Sequence, residues 1–360
     1  MKLKLQYFFL PVLLFCGFLL RAQHNVYFFN PDWNTVKLNK NYVPAADDTC
    51  MIFASVRSCE ESEKMFMNYD CNKEQKIHFF KIYFKGNNWT CVPAPNLSSC
   101  LIGLDSAAAV IYVEGLGKTF LTALDRATLF SRQYGKQIIM FDWPTYRPAL
   151  NGGKNFKTSL KESEVVSKTF ASFLDTLNKF KSANPKTFSS LCLHMHSMGN
   201  LLLMHAINNG YLKINNLLFN TIILNAACVP QKNHATWIEK LNIQKNIYIT
   251  NNDRDKVLRG AKFATGFTGQ LGKKARPPFA KNALYIDFSR VLEKQHNYWL
   301  FPSVLRTRPY IKDLYKMLLS GTEPDFSDEN RYIKKPNKNR IEIFDLTEAQ
   351  KGGIGISIGQ

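Results

Sequence analysis

The chain has 360 residues, with 47 Lys and Arg against 28 Asp and Glu and a formal net charge of +19. That length suits one large or two modest domains. The lysines are scattered, with a local excess at Lys334, Lys335, Lys338 and Arg340. No nucleic-acid motif accompanies them, so the charge reads as a solvated basic surface and no nucleic-acid partner is expected.

Met1-Lys-Leu-Lys opens the chain, an apolar run spans Tyr7 to Leu20, and Arg21-Ala22-Gln23 follows. A basic start, a short apolar stretch and a small residue at the cut make a secretory signal peptide over 1–22. The run of about 14 apolar residues falls short of the roughly 20 that a membrane span needs. Bulky Phe15 precedes Cys16, where a lipoprotein cysteine would follow a small residue. Export to the periplasm or the extracellular space is therefore expected. Cleavage after Ala22 removes Lys2, Lys4 and Arg21, leaving 338 residues and a charge of +16. A basic exported protein of this kind has an anionic envelope surface as a candidate partner. No later segment is long and apolar enough to span a bilayer.

Residues 23–106 read as a small N-terminal extension. An Asn-, Pro- and Tyr-rich leader runs to about Asp48, and short strands are predicted at 50–56 and 76–84. Five cysteines fall here, Cys50, Cys59, Cys71, Cys91 and Cys100. Export permits disulfides, and two bridges with one cysteine left over are expected, without a fixed connectivity. Cys192 and Cys228 sit in apolar runs and read as buried thiols. No paired C-x-x-C spacing supports zinc.

The pattern becomes regular over 107–321. Apolar, β-branched runs at 107–113, 137–141, 189–195, 220–224, 246–250 and 283–286 predict buried strands. Helical patterns separate most of them. The clearest, 158–181, carries Val166, Phe170, Phe173, Leu174, Leu177 and Phe180 on one face. This alternation predicts an α/β fold, a mostly parallel sheet with helices on both faces. Sites in such sheets gather at the carboxyl ends of the strands. From Thr322 to residue 360 the chain reads as a polar C-terminal tail.

The strand at 189–195 runs into His196-Ser197-Met198-Gly199 and then directly into an apolar helical run. A serine on a sharp strand-to-helix turn is a nucleophile elbow, with unsatisfied N–H groups at the helix start beside it. An acid and then a histidine should follow in the chain. The strand at 246–250 leads to Asp253 and Asp255, and the strand at 283–286 leads to His296. Either aspartate fits by position, because Asn and Asp also serve turns. His194 and His196 share a strand face at a spacing that permits metal binding, but no carboxylate stands near them in the chain; no metal or other cofactor is implied. Trp143 and Tyr146, after the second core strand, are candidates to line an acyl pocket. The insertion between Tyr146 and Lys157, with Gly152-Gly153, reads as part of a lid. The loop from Lys262 to Lys281 would bring positive charge between the acid and the histidine.

From Ala107 to Leu319 the chain resembles a bacterial family described as α/β-hydrolases of unknown function, with esterase- and lipase-like relatives. The resemblance rests on Val113-Glu-Gly-Leu-Gly117, Phe141-Asp-Trp-Pro-Thr145, His196-Ser-Met-Gly-Asn200, Asp255-Lys-Val-Leu258 and His296-Asn-Tyr298. It implies the α/β-hydrolase fold, Ser197 as nucleophile, His296 as base and Asp255 as the orienting acid. It further implies an oxyanion hole from the N–H groups of Met198 and of Gly115 or Leu116. Two positions depart from the family's pattern. Glu114 stands where His is usual, and large Met195 stands two residues before the serine, where a small one is usual. The expectation is an exported serine hydrolase acting on a small-molecule or lipid-like acyl substrate. Its alternatives are a peptidase or acyltransferase with the same triad, or a non-catalytic envelope protein that binds through a hydrolase scaffold.

Overall fold

The computed structural model describes residues 28–343 apart from 105, 266–267, 330 and 336–338. The expected signal peptide at 1–22 and the tail from 344 onward lie outside the described residues. Six strands precede the regular core: β1 (Val36–Leu38), β2 (Thr49–Ser55), β3 (Arg57–Cys59), β4 (Met67–Cys71), β5 (His78–Lys85) and β6 (Asn88–Ala94). The core strands are β7 (Ala107–Val113), β8 (Gln137–Asp142), β9 (Phe188–His196), β10 (Phe219–Asn225), β11 (Gln244–Asn251) and β12 (Leu284–Asp287). Two more, β13 (Tyr332–Lys334) and β14 (Arg340–Ile343), follow near the end. Each core strand lies within two residues of its expected limits, because the apolar β-branched runs have no helical period to compete with the strand.

Twelve strands form one sheet in the order β1-β6-β5-β2-β8-β7-β9-β10-β11-β12-β14-β13. From β2 to β14 through the core, every neighbouring pair is parallel. Among the described residues the eight α-helices are α1 (Leu97–Leu101), α2 (Phe120–Tyr134), α3 (Gly152–Ala183), α4 (Asn200–Asn208), α5 (His234–Ile238), α6 (Lys256–Ala264), α7 (Pro302–Thr307) and α8 (Pro309–Ser320).

Strand pleating sends alternate residues to opposite faces. Tyr112 of β7 pairs in register with His194 of β9, and both rings meet Phe130 of α2, while His194 also meets Tyr315 of α8. One residue on, Val113 lies in register with Phe141 and Met195, and Phe141 packs on Phe170 and Phe173 of α3. Helices thus cover both faces, and nearly every core-strand side chain in the middle of the sheet is buried.

Four expectations change. The N-terminal segment is no separate extension, because β2 lies parallel beside β8 and carries β5, β6 and β1 with it into the main sheet. The polar tail begins as sheet: β14 lies parallel to β12, and Arg340 reaches Asp287 at 2.6 Å. Alternating polar and apolar residues on a half-exposed edge concealed these strands. Gly152-Gly153 is the first turn of α3 rather than a lid, since Asn151 caps it by accepting from the Lys154 N–H at 2.9 Å. All seven cysteines among the described residues are free thiols. In the sheet Cys50 faces Tyr83 and Cys91 faces Ile82, so pairing puts no cysteine opposite another there. Burial raises the thiols of Cys50 and Cys59 to about 11 and those of Cys71 and Cys100 to about 12. Among the described residues no helix is long and apolar enough to cross a membrane.

Gly272 locks the acid side of the sheet to the elbow side. Its N–H donates to Ala227 O at 2.8 Å and its carbonyl accepts from Asn252 N at 3.0 Å. A Cβ there would lie 2.0 Å from Ala227 N and 2.1 Å from Ala226 C, both backbone atoms that cannot swing aside. Gly272→Ala is expected to destabilise the protein by roughly 3 kcal/mol or more, as overpacking against rigid neighbours does. A denaturant melt with a lowered midpoint and unchanged slope checks this.

Candidate active site

The carboxyl end of β9 delivers Ser197 into a single 3-10 turn, Ser197–Gly199, that leads straight into α4. Ser197 has a φ of +51°, a left-handed conformation that costs a non-glycine residue about 1–2 kcal/mol. The surroundings hold it there. Asn200 Nδ2 donates to Ser197 O at 2.9 Å and to Met195 O at 3.1 Å, and Cys228 N donates to Ser197 O at 3.0 Å. Two glycines make room. A Cβ on Gly115 would stand 2.6 Å from the Ser197 Cβ, and one on Gly199 would stand 2.8 Å from Val113 O. Met195 is wholly buried in the strand and leaves the turn intact.

The loop 114–118 after β7 lies against this elbow, since the Gly115 Cβ position is also 3.0 Å from Met198 N. The segment after β8 fastens it. Trp143 Nε1 donates to Glu114 O at 2.9 Å, Thr145 Oγ1 to Gly115 O at 3.0 Å, and Lys118 N to Thr145 Oγ1 at 2.9 Å. Trp143, expected to line a pocket, is therefore a buried strut for this loop, and Tyr146 is part-buried beyond it. Gly115 N–H, one of the expected oxyanion donors, already donates to Glu114 Oε1 at 2.9 Å. Its neighbour Leu116 and the turn residue Met198 supply the remaining amides expected for that role.

Asp255 and His296 meet on the other side. Asp255 is the N-cap of α6: its Oδ1 accepts from Val257 N at 2.8 Å and Leu258 N at 3.0 Å. Its Oδ2 lies 2.6 Å from His296 Nδ1. Both side chains are buried, and the His296 ring centroid is 4.7 Å from that of His196, the residue before Ser197. Asn252 holds the histidine loop by donating to Glu293 O and Gln295 O, each at 3.1 Å. Asp253 points elsewhere. Its N–H donates to Ser289 Oγ at 2.8 Å, and it lines a separate cleft of about 270 Å³ with Arg254, Arg290 and Arg340.

Sequence reasoning missed a buried polar network beneath this pair. Tyr112 OH donates to Glu114 Oε2 at 2.6 Å, and Glu114 Oε1 lies 3.8 Å from His196 Nε2. Asn225 Nδ2 is 3.0 Å from His196 Nδ1, and Thr250 Oγ1 donates to Asn225 Oδ1 at 3.0 Å while also meeting Tyr298 OH at 2.7 Å. An amide donor at Nδ1 leaves the imidazole proton on Nε2, facing Glu114. Burial drives His196 well below its usual range, so it is neutral. Burial alone would raise Glu114, but the charges of Lys118 and Arg126 and the bond from the Tyr112 hydroxyl outweigh it and bring its carboxyl down to about 2. Burial takes Lys118 down to about 8 despite Glu114. A carboxylate thus does stand near His196, supplied by Glu114 at the start of the loop after β7. Even so, no group of three or more His, Cys, Asp or Glu among the described residues is arranged to hold a metal ion. The only sequence signal for the network was the odd carboxylate at 114.

Residues 95–265 match the model of a family described as alpha/beta hydrolase of unknown function (DUF900). That is the kind of family to which the quoted motifs point. No curated protein matches the sequence.

The low Glu114 carboxyl sets an acid dependence. A folded value near 2 against the ordinary 4.5 means that the unfolded chain takes up this proton first as pH falls. The stabilisation is therefore complete above 4.5 and lost on descent through about 2. Glu114→Gln should remove that part of the acid sensitivity, on the order of 3 kcal/mol across the window. Denaturant melts of both proteins at stepped pH read the difference as a shallower slope in the variant.

Proposed function

With an α/β-hydrolase segment as the premise, we propose that this chain is an exported serine hydrolase that cleaves an ester or related acyl bond. Ser197 is the nucleophile, His296 the base and Asp255 the acid that orients it. The observation that carries this reading is the 2.6 Å contact between Asp255 Oδ2 and His296 Nδ1, with the His296 ring 4.7 Å from that of His196, the residue before a serine held at a φ of +51°.

Ser197 Oγ attacks the carbonyl carbon while His296 Nε2 takes its proton. Asp255 accepts from Nδ1–H, which fixes the tautomer and stabilises the imidazolium. The carbonyl electron pair moves onto oxygen, where the N–H groups of Met198 and Leu116 receive it. Collapse re-forms the carbonyl, breaks the bond to the leaving alcohol and returns the proton to that alcohol from His296. Water, deprotonated by His296, then attacks the acyl-enzyme carbonyl, and collapse breaks the bond to Ser197 Oγ, which takes the proton back from His296 as the acid leaves. The mechanism needs no cofactor. Glu114 gives Oε2 to the Tyr112 hydroxyl and Oε1 to the Gly115 N–H, so the oxyanion role is assigned to the amides of Met198 and Leu116 instead of Gly115.

The substrate class is a small-molecule or lipid-like acyl compound. Export rests on the signal-like segment 1–22, and the charge of +16 left after its removal suits an anionic envelope surface. A non-catalytic binding protein on the same scaffold is the second reading, favoured by the Gly115 N–H being taken by Glu114. A peptidase or acyltransferase would use the same groups with another leaving group or acceptor.

Hydrolysis of p-nitrophenyl acyl esters by the purified protein tests the proposal. Ser197→Ala should abolish turnover. Asp255→Asn keeps a capping oxygen for α6 but loses the correct histidine tautomer, and should lower kcat by about 10³–10⁴-fold. Asp253→Asn should stay within a few-fold of wild type. Equal losses in the two aspartate variants would assign the acid wrongly, and turnover surviving Ser197→Ala would refute the serine mechanism.

A further inference from the structure

We propose that Arg57, which precedes the matched hydrolase segment 95–265, is a positioning residue for the oxyanion loop 114–118. Its kinetic consequence rests on the serine-hydrolase reading; its structural consequence does not.

Arg57 is completely buried, and its partner Asp142 is almost so. Nε and Nη2 grip the Asp142 carboxylate in a fork, at 2.7 Å to Oδ2 and 3.0 Å to Oδ1. Nη2 also donates to two backbone carbonyls, Lys118 O at 3.0 Å and Trp143 O at 3.1 Å. These two carbonyls belong to the end of the oxyanion loop and to the segment that fastens it. Trp143 in turn holds Glu114 O, and Thr145 holds Gly115 O, so the guanidinium ties both edges of the loop at once. A planar fork with several fixed donors does this, and a lysine ammonium cannot.

Placement follows from the sheet. Ser55 of β2 is in register with Asp142 of β8, Val56 N donates to Asp142 O at 3.0 Å, and Ser55 Oγ adds a bond to Asp142 Oδ2 at 2.7 Å. Two residues past the end of pairing, Arg57 lies beneath the loop. The N-terminal strands therefore complete the site rather than decorate it.

Removing Arg57 alone strands a buried carboxylate and risks the fold. The test is therefore the double variant Arg57→Met with Asp142→Asn, which removes both charges and keeps the volumes close. Expected are a native circular dichroism spectrum, a kcat lowered on the order of 10–100-fold with KM within a few-fold, and faster hydrogen exchange at the amides of 115–118. A folded double variant with wild-type kcat and wild-type exchange would overturn the proposal. Should that variant not fold, Arg57→Lys decides. It retains the charge without the fork and should lower kcat and loosen the same amides, whereas wild-type values in both would equally overturn it. If the wild-type protein turns over no ester, the hydrolase reading fails by itself, and exchange at 115–118 still decides whether Arg57 clamps the loop.

Discussion

Ser197 turns the chain at a φ of +51° between the end of β9 and the start of α4, and the adjacent strand has to come close without filling the space. A side chain at Gly115 would overlap the serine itself, and one at Gly199 would overlap the carbonyls that end β7. The strained turn persists because backbone and side-chain bonds from Asn200 and Cys228 fix its carbonyls and its exit. The loop after β7 can then approach Met198, and the oxyanion amides of the proposed mechanism come from two segments distant in sequence. Sheet order does the rest, since β7 and β10 flank β9 and bring their carboxyl ends to the same edge.

Two buried carboxylates near this turn have different surroundings and different proposed work. Asp255 divides its oxygens between the first turn of α6 and the His296 ring, so the same residue caps a helix and orients an imidazole. Glu114 gives one oxygen to a tyrosine hydroxyl and the other to the next amide, with a buried lysine and a neutral histidine at hand. Pairs of carboxyls whose environments differ in this way are how one fold assigns separate electrostatic roles. Arg126, 5.1 Å from the centroids of both the Phe28 and Phe301 rings, adds positive charge that helps hold the Glu114 carboxyl low.

Much of this is legible in the chain because it depends on local pattern. The strands β7 to β12 announce themselves through β-branched runs, and α3 through its apolar stripe. Order and position after strands single out Ser197, His296 and two candidate acids, Asp253 and Asp255, and only the resemblance prefers Asp255. What escaped depends on contacts between distant residues. Nothing around Arg57 reveals that β2 will pair with β8, nor that Lys118 and Trp143 will offer it their carbonyls. Glu114 stood out as a carboxylate beside the oxyanion loop, but its partners Tyr112 and His196 sit on strand positions that read as plain core. Gly152-Gly153 reads in the sequence as part of a lid, and only Asn151 capping the Lys154 N–H makes it a helix start.

Mass-spectrometric mapping of a fluorophosphonate adduct on the folded protein tests the central claim most directly, because the probe reacts only with a serine activated by a base and supported by oxyanion donors. The account predicts a single phosphonylated residue, Ser197, and no adduct in Ser197→Ala. A well-folded wild-type protein left unmodified, or an adduct on another serine, would contradict it.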